Sequence, residues 1–136
     1  MDDIGVRTTV PSTLAVLDIS SETPARARRI ADRFMRGLIP PPARETAAAV
    51  ELVISELITN AVRHAGGTSC SITLSVRPEG IEVAVTDDSP VPPSERVPDF
   101  SGANGGFGWR MVCRLAHSVS VDAGTRGKTI RVLMAR

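Results

Sequence analysis

Glu56 and Asn60 stand one helical turn apart in the run SELITN, so on a helix their side chains converge on one patch. A carboxylate beside an amide oxygen suits magnesium, which takes one or two protein oxygens and completes its octahedron with water and phosphate. In that arrangement Asn60 is the ligand, and Glu56 stays free to take a proton from an attacking hydroxyl as a general base. Such pairs more often lie on a solvated helix face with no ligand at all, and these two residues alone do not separate the readings.

Asp87 is the second candidate. Ile81, Val83 and Val85 share one face of a strand and Asp87 continues their row, so a carboxylate is aimed where apolar side chains go. A buried carboxylate needs a donor, which a turn amide at Ser89 or a ligand amine such as that of adenine could supply. Guanine presents an acceptor at the same position and would be rejected. The third candidate is Gly102, Gly105, Gly106 and Gly108, before a helix beginning near Trp109. Glycines allow close backbone approach and a helix N-terminus offers unpaired amides, which makes a phosphate cradle, although the spacing matches neither GxxxxGK nor GxGxxG. Gly127, Lys128 and Thr129 read as a hairpin turn. His64, His117, Cys70 and Cys113 lack partners at metal-ligand spacing.

The elements that must position these residues follow from periodicity. Thr13–Ile19 is a first strand. Ser21 and Thr23 offer helix caps, Pro24 suits a first turn, and Ala27, Ile30, Ala31 and Phe34 mark an amphipathic helix ending at Gly37, with Arg26, Arg29, Arg33 and Arg36 on its solvated side. After Pro40–Pro42, residues 43–65 form a long helix closed by Gly66 and Gly67. Val50, Ile54, Leu57, Ile58, Ala61 and Ala65 gather on one side of it, and Glu56, Asn60 and Arg63 on another. Residues 70–77 and 81–87 alternate as a hairpin, and 88–105 is a long Pro- and Gly-rich loop expected to be a lid. A helix over 107–116 and a hairpin of 119–123 with 129–135 complete the chain. Antiparallel hairpins grouped with helices, without βαβ units, predict an α+β fold, a two-layer sandwich with one mostly antiparallel sheet under three helices.

A length of 136 residues allows one domain, read as 13–136 behind a polar, flexible segment 1–12. Sixteen basic residues against fifteen acidic ones leave a net charge of +1, which excludes an electrostatic case for nucleic acid or an anionic membrane as the main partner. Lys128 is the only lysine beside fifteen arginines, a bias that genome composition explains as readily as chemistry. No apolar run is long enough to span a bilayer, and the isolated cysteines suggest neither zinc nor disulfides, so a reducing cytoplasm is expected.

Together, ELVISELITNAVRHAGG (51–67), VAVTDDSPVPP (83–93), GGFGWRMVCRLA (105–116) and GKT (127–129) resemble the Bergerat-type ATPases of gyrases, heat-shock chaperones and histidine kinases. Within that superfamily the chain is similar to the anti-sigma-factor serine/threonine kinases and the small actinobacterial ATP-binding regulators. The resemblance implies ATP and Mg2+ as cofactors, with Glu56 as general base and Asn60 as magnesium ligand. It further implies Asp87 as adenine reader, Gly106 and Gly108 in the phosphate loop, Thr129 as a second contact near adenine, and Arg63 and His64 close to the nucleotide. The implied activity is phosphorylation of a Ser or Thr on an anti-sigma antagonist by a homodimer that also sequesters a sigma factor. A non-catalytic module, binding ATP or no nucleotide, is the alternative. Phe107 and Trp109 stand where the family commonly has a basic residue and a Leu or Met, which removes one phosphate-facing charge.

Overall fold

Each stretch of alternating or helical spacing forms the element its period predicts in the computed structural model, which describes residues 11–64, 69–89 and 108–136. The order is β1 (Ser12–Asp18), α1 (Thr23–Arg36), α2 (Arg44–His64), β2 (Ser69–Arg77), β3 (Gly80–Asp87), α3 (Gly108–Leu115), β4 (Ser118–Gly124) and β5 (Gly127–Ala135). Among the described residues the strands make one antiparallel sheet in the order β1-β2-β3-β5-β4. Because β5 returns between β3 and β4, Asp87 and Lys128 become register partners although 41 residues separate them. Ala65, the two glycines after it, the expected lid from residue 90 onward, Gly106 and Phe107 lie outside the described residues.

The helices cover one sheet face, which makes the two-layer α+β sandwich that the grouping of elements predicts. Ile81, Val83 and Val85 of β3 and Ile130, Val132 and Met134 of β5 are buried on that face. They share one core with Val50, Val53, Ile54, Leu57, Ile58 and Ala61 of α2 and with Val112 of α3. The other face is open and polar, carrying Thr73, Ser75, Glu82, Thr86, Thr129 and Arg131. A one-sided antiparallel sheet shows this alternation, and it decides which β5 residues can reach Asp87.

One expectation for α1 needs correction. Thr23 does not cap the helix from outside: it is the first helical residue and fully buried, accepting from the Ser20 amide at 2.8 Å and donating to the Asp18 carbonyl at 2.8 Å. It ties the end of β1 to the start of α1, while Glu22 sits at the N-cap without a side-chain cap bond. The fully buried stripe is Thr23, Ala27, Ala31 and Met35, a spacing of four, with Ile30 and Phe34 half-buried beside it. Arg26, Arg29, Arg33 and Arg36 are exposed, and Arg36 pairs with Asp32 at 2.9 Å along the helix. Among the described residues neither Cys70, which is buried, nor Cys113, which is exposed, forms a disulfide. Among the described residues no helix is long and apolar enough to cross a membrane.

Candidate functional site

Helix α2 divides its flanks between two neighbours. Ser55 turns toward α1, where it accepts from Arg28 Nη1 at 3.1 Å. Glu56, about 100° further round the helix, turns toward α3. Gly108, the first residue of α3, is seated directly on that carboxylate: a Cβ there would lie 1.9 Å from Glu56 Oε2 and 2.6 Å from its Cδ. Only glycine leaves the carboxylate where it is. Burial pushes the Glu56 carboxyl above its ordinary value, and the Arg63 guanidinium two turns on partly restrains the rise. A carboxyl held up in this way is closer to the pKa a general base needs near neutral pH.

Asn60, one turn after Glu56, is half-buried, and its Oδ1 is buried with no hydrogen-bond donor among the described residues. Buried polar atoms are nearly always satisfied, so an orphaned amide oxygen next to a carboxylate marks a place for an external donor or a cation. An oxygen donor is also what a hard ion such as Mg2+ selects, so the residues present fit that ion. His64 closes α2, half-buried, and Arg63 beside it is exposed.

The third group lies on the sheet. Asp87 is buried at the end of β3, as its place in the apolar row predicts. Its Oδ1 accepts from the Ser89 amide at 2.8 Å, the turn bond that the sequence suggests. Its larger partner is one the sequence reading passed over. Lys128 Nζ lies 3.0 Å from Oδ1 and 2.9 Å from Oδ2, with both side chains essentially inaccessible to solvent (0% and 1%). Cys70 of β2 lies next in the same row, its thiol pushed up by burial and by the Asp87 charge. Gly127 permits the pairing: its φ is +141° and a Cβ on it would meet the Asp87 carbonyl oxygen at 2.2 Å.

Thr129 is not brought together with these residues. It is the register partner of Thr86, and the two hydroxyls lie 2.8 Å apart on the open face of the sheet, opposite to Asp87. Strand alternation dictates this, since only one of two consecutive residues can face the helices, and in β5 that residue is Lys128. Gly106 lies outside the described residues. The remaining candidates share one end of the molecule. Helix α2 ends at His64, β2 begins at Ser69, and the first residues of β2 pair with the last of β3, so the C-terminal turns of α2 lie at the Asp87 end of the sheet.

Comparison with known proteins agrees with this architecture. The family model of the histidine kinase-like ATPase domain matches residues 20–134, nearly the whole described chain. The chain belongs to that family. This ATPase domain is similar in fold to a crystal structure of the RsbU and RsbW domains of Rv1364c from Mycobacterium tuberculosis, with a TM-score of 0.69 at 18% identity, covering 96% of this chain and 34% of that one. It is also similar to the histidine kinase domain of the blue-light-activated histidine kinase EL346 from Erythrobacter litoralis, with a TM-score of 0.50 at 24% identity, covering 82% of this chain and 60% of that one. The chain therefore spans about a third of the first structure's length and less than two thirds of the second's. Comparison with curated proteins gives no significant match.

Within this ATPase domain, Lys128 had a readable signal. It stands in step with Ile130, Val132 and Met134, as Asp87 stands in step with Ile81, Val83 and Val85. The same rule that turns the acid inward turns the base inward. The contact of Gly108 with Glu56 has no such signal, because it depends on how α3 docks against α2.

Proposed function

We propose that this domain is an ATP-dependent protein serine/threonine kinase of the anti-sigma-factor type, transferring the γ-phosphoryl group of ATP to a Ser or Thr hydroxyl on an anti-sigma antagonist. The observation that carries the reading is the α2–α3 junction. There a carboxylate with an elevated pKa rests on Gly108, one turn from an amide oxygen that lacks a partner. Glu56 accepts the hydroxyl proton as the hydroxyl oxygen bonds to the γ-phosphorus and the bond to the bridging oxygen of ADP breaks. Asn60 would hold Mg2+, which when bound offsets the negative charge of the phosphate oxygens. Asp87 would accept from the adenine amine, Arg63 and His64 would lie near the nucleotide, and the Gly106–Gly108 backbone would approach the phosphates at the α3 N-terminus. Family membership supports ATP as the nucleotide, and the likeness to a structure of RsbU and RsbW domains supports regulation by partner proteins. The reading includes a cytoplasmic homodimer that sequesters a sigma factor, without direct contact to nucleic acid or membrane.

The test is incubation of the purified protein with magnesium, γ-labelled ATP and a candidate Ser-bearing antagonist. Label on a serine or threonine of the antagonist is the expected result. ATP bound with no label transferred would leave the non-catalytic module instead. Titration with ATP with and without magnesium tests Asn60: Asn60→Ala is expected to lose most of the magnesium-dependent part of the affinity, while the magnesium-free affinity changes little.

Two further outcomes follow from the junction. Gly108→Ala places a methyl on the far end of a flexible side chain and not on backbone, so the fold is expected to hold while the Glu56 carboxylate swings away. Loss of a positioned general base costs about 10²–10⁴ in rate, and the lower end, about 100-fold in kcat, is expected here with unchanged circular dichroism. Glu56 acts only when deprotonated, so kcat rises with pH through its elevated pKa. Arg63→Ala removes the charge that restrains the elevation and is expected to move that rising limb to higher pH. A limb that stays in place when Arg63 is removed would detach it from Glu56.

A further inference from the structure

The Asp87–Lys128 pair has one donor and one acceptor to spare. An ammonium carries three protons and an ionised carboxylate offers about four acceptor positions. Lys128 Nζ lies within hydrogen-bond distance of both Asp87 oxygens, and the Ser89 amide takes a further position on Oδ1. Among the described residues neither head group has another polar partner, so one N–H of Lys128 and one lone pair on Asp87 Oδ2 remain unused. Their complement is a ligand edge with an adjacent donor and acceptor.

We propose that Lys128 is a specificity-determining residue of the base site, its Nζ donating to N1 of adenine while Asp87 Oδ2 accepts from the N6 amine; this rests on the nucleotide reading above. Adenine places exactly these two functions on neighbouring atoms of its pyrimidine ring. Guanine in the same pose sets O6 against the carboxylate and N1–H against the ammonium, leaving two mismatched buried pairs, and such mismatches are what polar sites reject most strongly. The residue type matters as well. Lysine is a compact point charge that leaves part of the carboxylate free, whereas an arginine fork would engage both oxygens along its whole edge. In a chain that otherwise uses only arginine for its fixed positive charge, the single lysine stands beside Asp87.

The experiment is calorimetric titration of the full chain with magnesium and ATP, GTP, 1-deaza-ATP, in which a C–H replaces N1, and 7-deaza-ATP as a control. Wild type is expected to bind 1-deaza-ATP about tenfold or more weakly than ATP, to bind 7-deaza-ATP as it binds ATP, and to discriminate against GTP. In Lys128→Met the N1 penalty is expected to vanish. Lys128→Arg retains the ion pair and is expected to stay folded but to lose ATP affinity. The wild-type comparison stands whether or not Lys128→Met folds. Equal affinity of wild type for ATP and 1-deaza-ATP, or for ATP and GTP, would overturn this inference and leave ATP binding intact. Binding of no nucleotide at all would overturn it together with the kinase reading.

Discussion

Glu56→Gln is expected to reduce phosphoryl transfer by roughly 10²–10⁴-fold while ATP affinity stays within a few-fold of wild type. The amide keeps the shape of the carboxyl against Gly108 but cannot take the hydroxyl proton, so the loss belongs to kcat. The same substitution is expected to raise the melting temperature. The folded-state pKa of Glu56 lies above its unfolded value, so the group's contribution to stability is present below the unfolded value and is lost as pH rises through the folded one. At neutral pH the ionised carboxylate therefore costs stability, and a neutral isostere relieves it. Thermal scans of both proteins should differ most near neutrality and converge toward acid. A variant that is inactive yet less stable than wild type at pH 7 would point to a structural role for Glu56 instead.

Asp87→Ala is expected to lose about 3–5 kcal/mol of folding stability, because it leaves the Lys128 ammonium buried and uncompensated. At roughly 2–8 °C per kcal/mol for domains that bracket this size, the melting temperature should fall by about 6 °C or more. Replacing both charges by apolar residues, as in Asp87→Leu with Lys128→Met, removes the buried charge altogether and is expected to recover most of the loss. ATP affinity should return in neither variant, which separates the structural from the recognition role of the acid. A double variant that regains ATP binding along with its stability would remove Asp87 from the base site.

The fold was legible because nearly every element carries its own period. The alternation of Ile81, Val83 and Val85 announces β3, and Val50, Ile54, Leu57, Ile58 and Ala61 of the expected apolar side of α2 are buried, with Val53 added. The inward turn of Asp87 could be read because a strand has only two faces. Lys128 obeys the same rule on β5, but beside Gly127 the position resembles a turn, and a lone lysine carries no pattern of its own. Thr129 lies on the open face for the related reason that strand alternation sets its side, which a motif naming residues does not state. The seat of Glu56 on Gly108 lay beyond the sequence, because it depends on how two helices dock and brings together residues 52 positions apart (108 − 56). On α1, Met35 joins the buried stripe because it continues the spacing of four from Thr23, Ala27 and Ala31.

The glycine pressed onto the Asp87 carbonyl has a further effect, since it fixes how many residues span the bend between the two last strands. A single deletion there that shifted β5 by one place would exchange Lys128 for Thr129 opposite the acid, trading a cation for a neutral hydroxyl without altering either side chain. Loop length at that bend is thus an electrostatic variable, and relatives that differ there by one residue would meet the same ligand with a different charge.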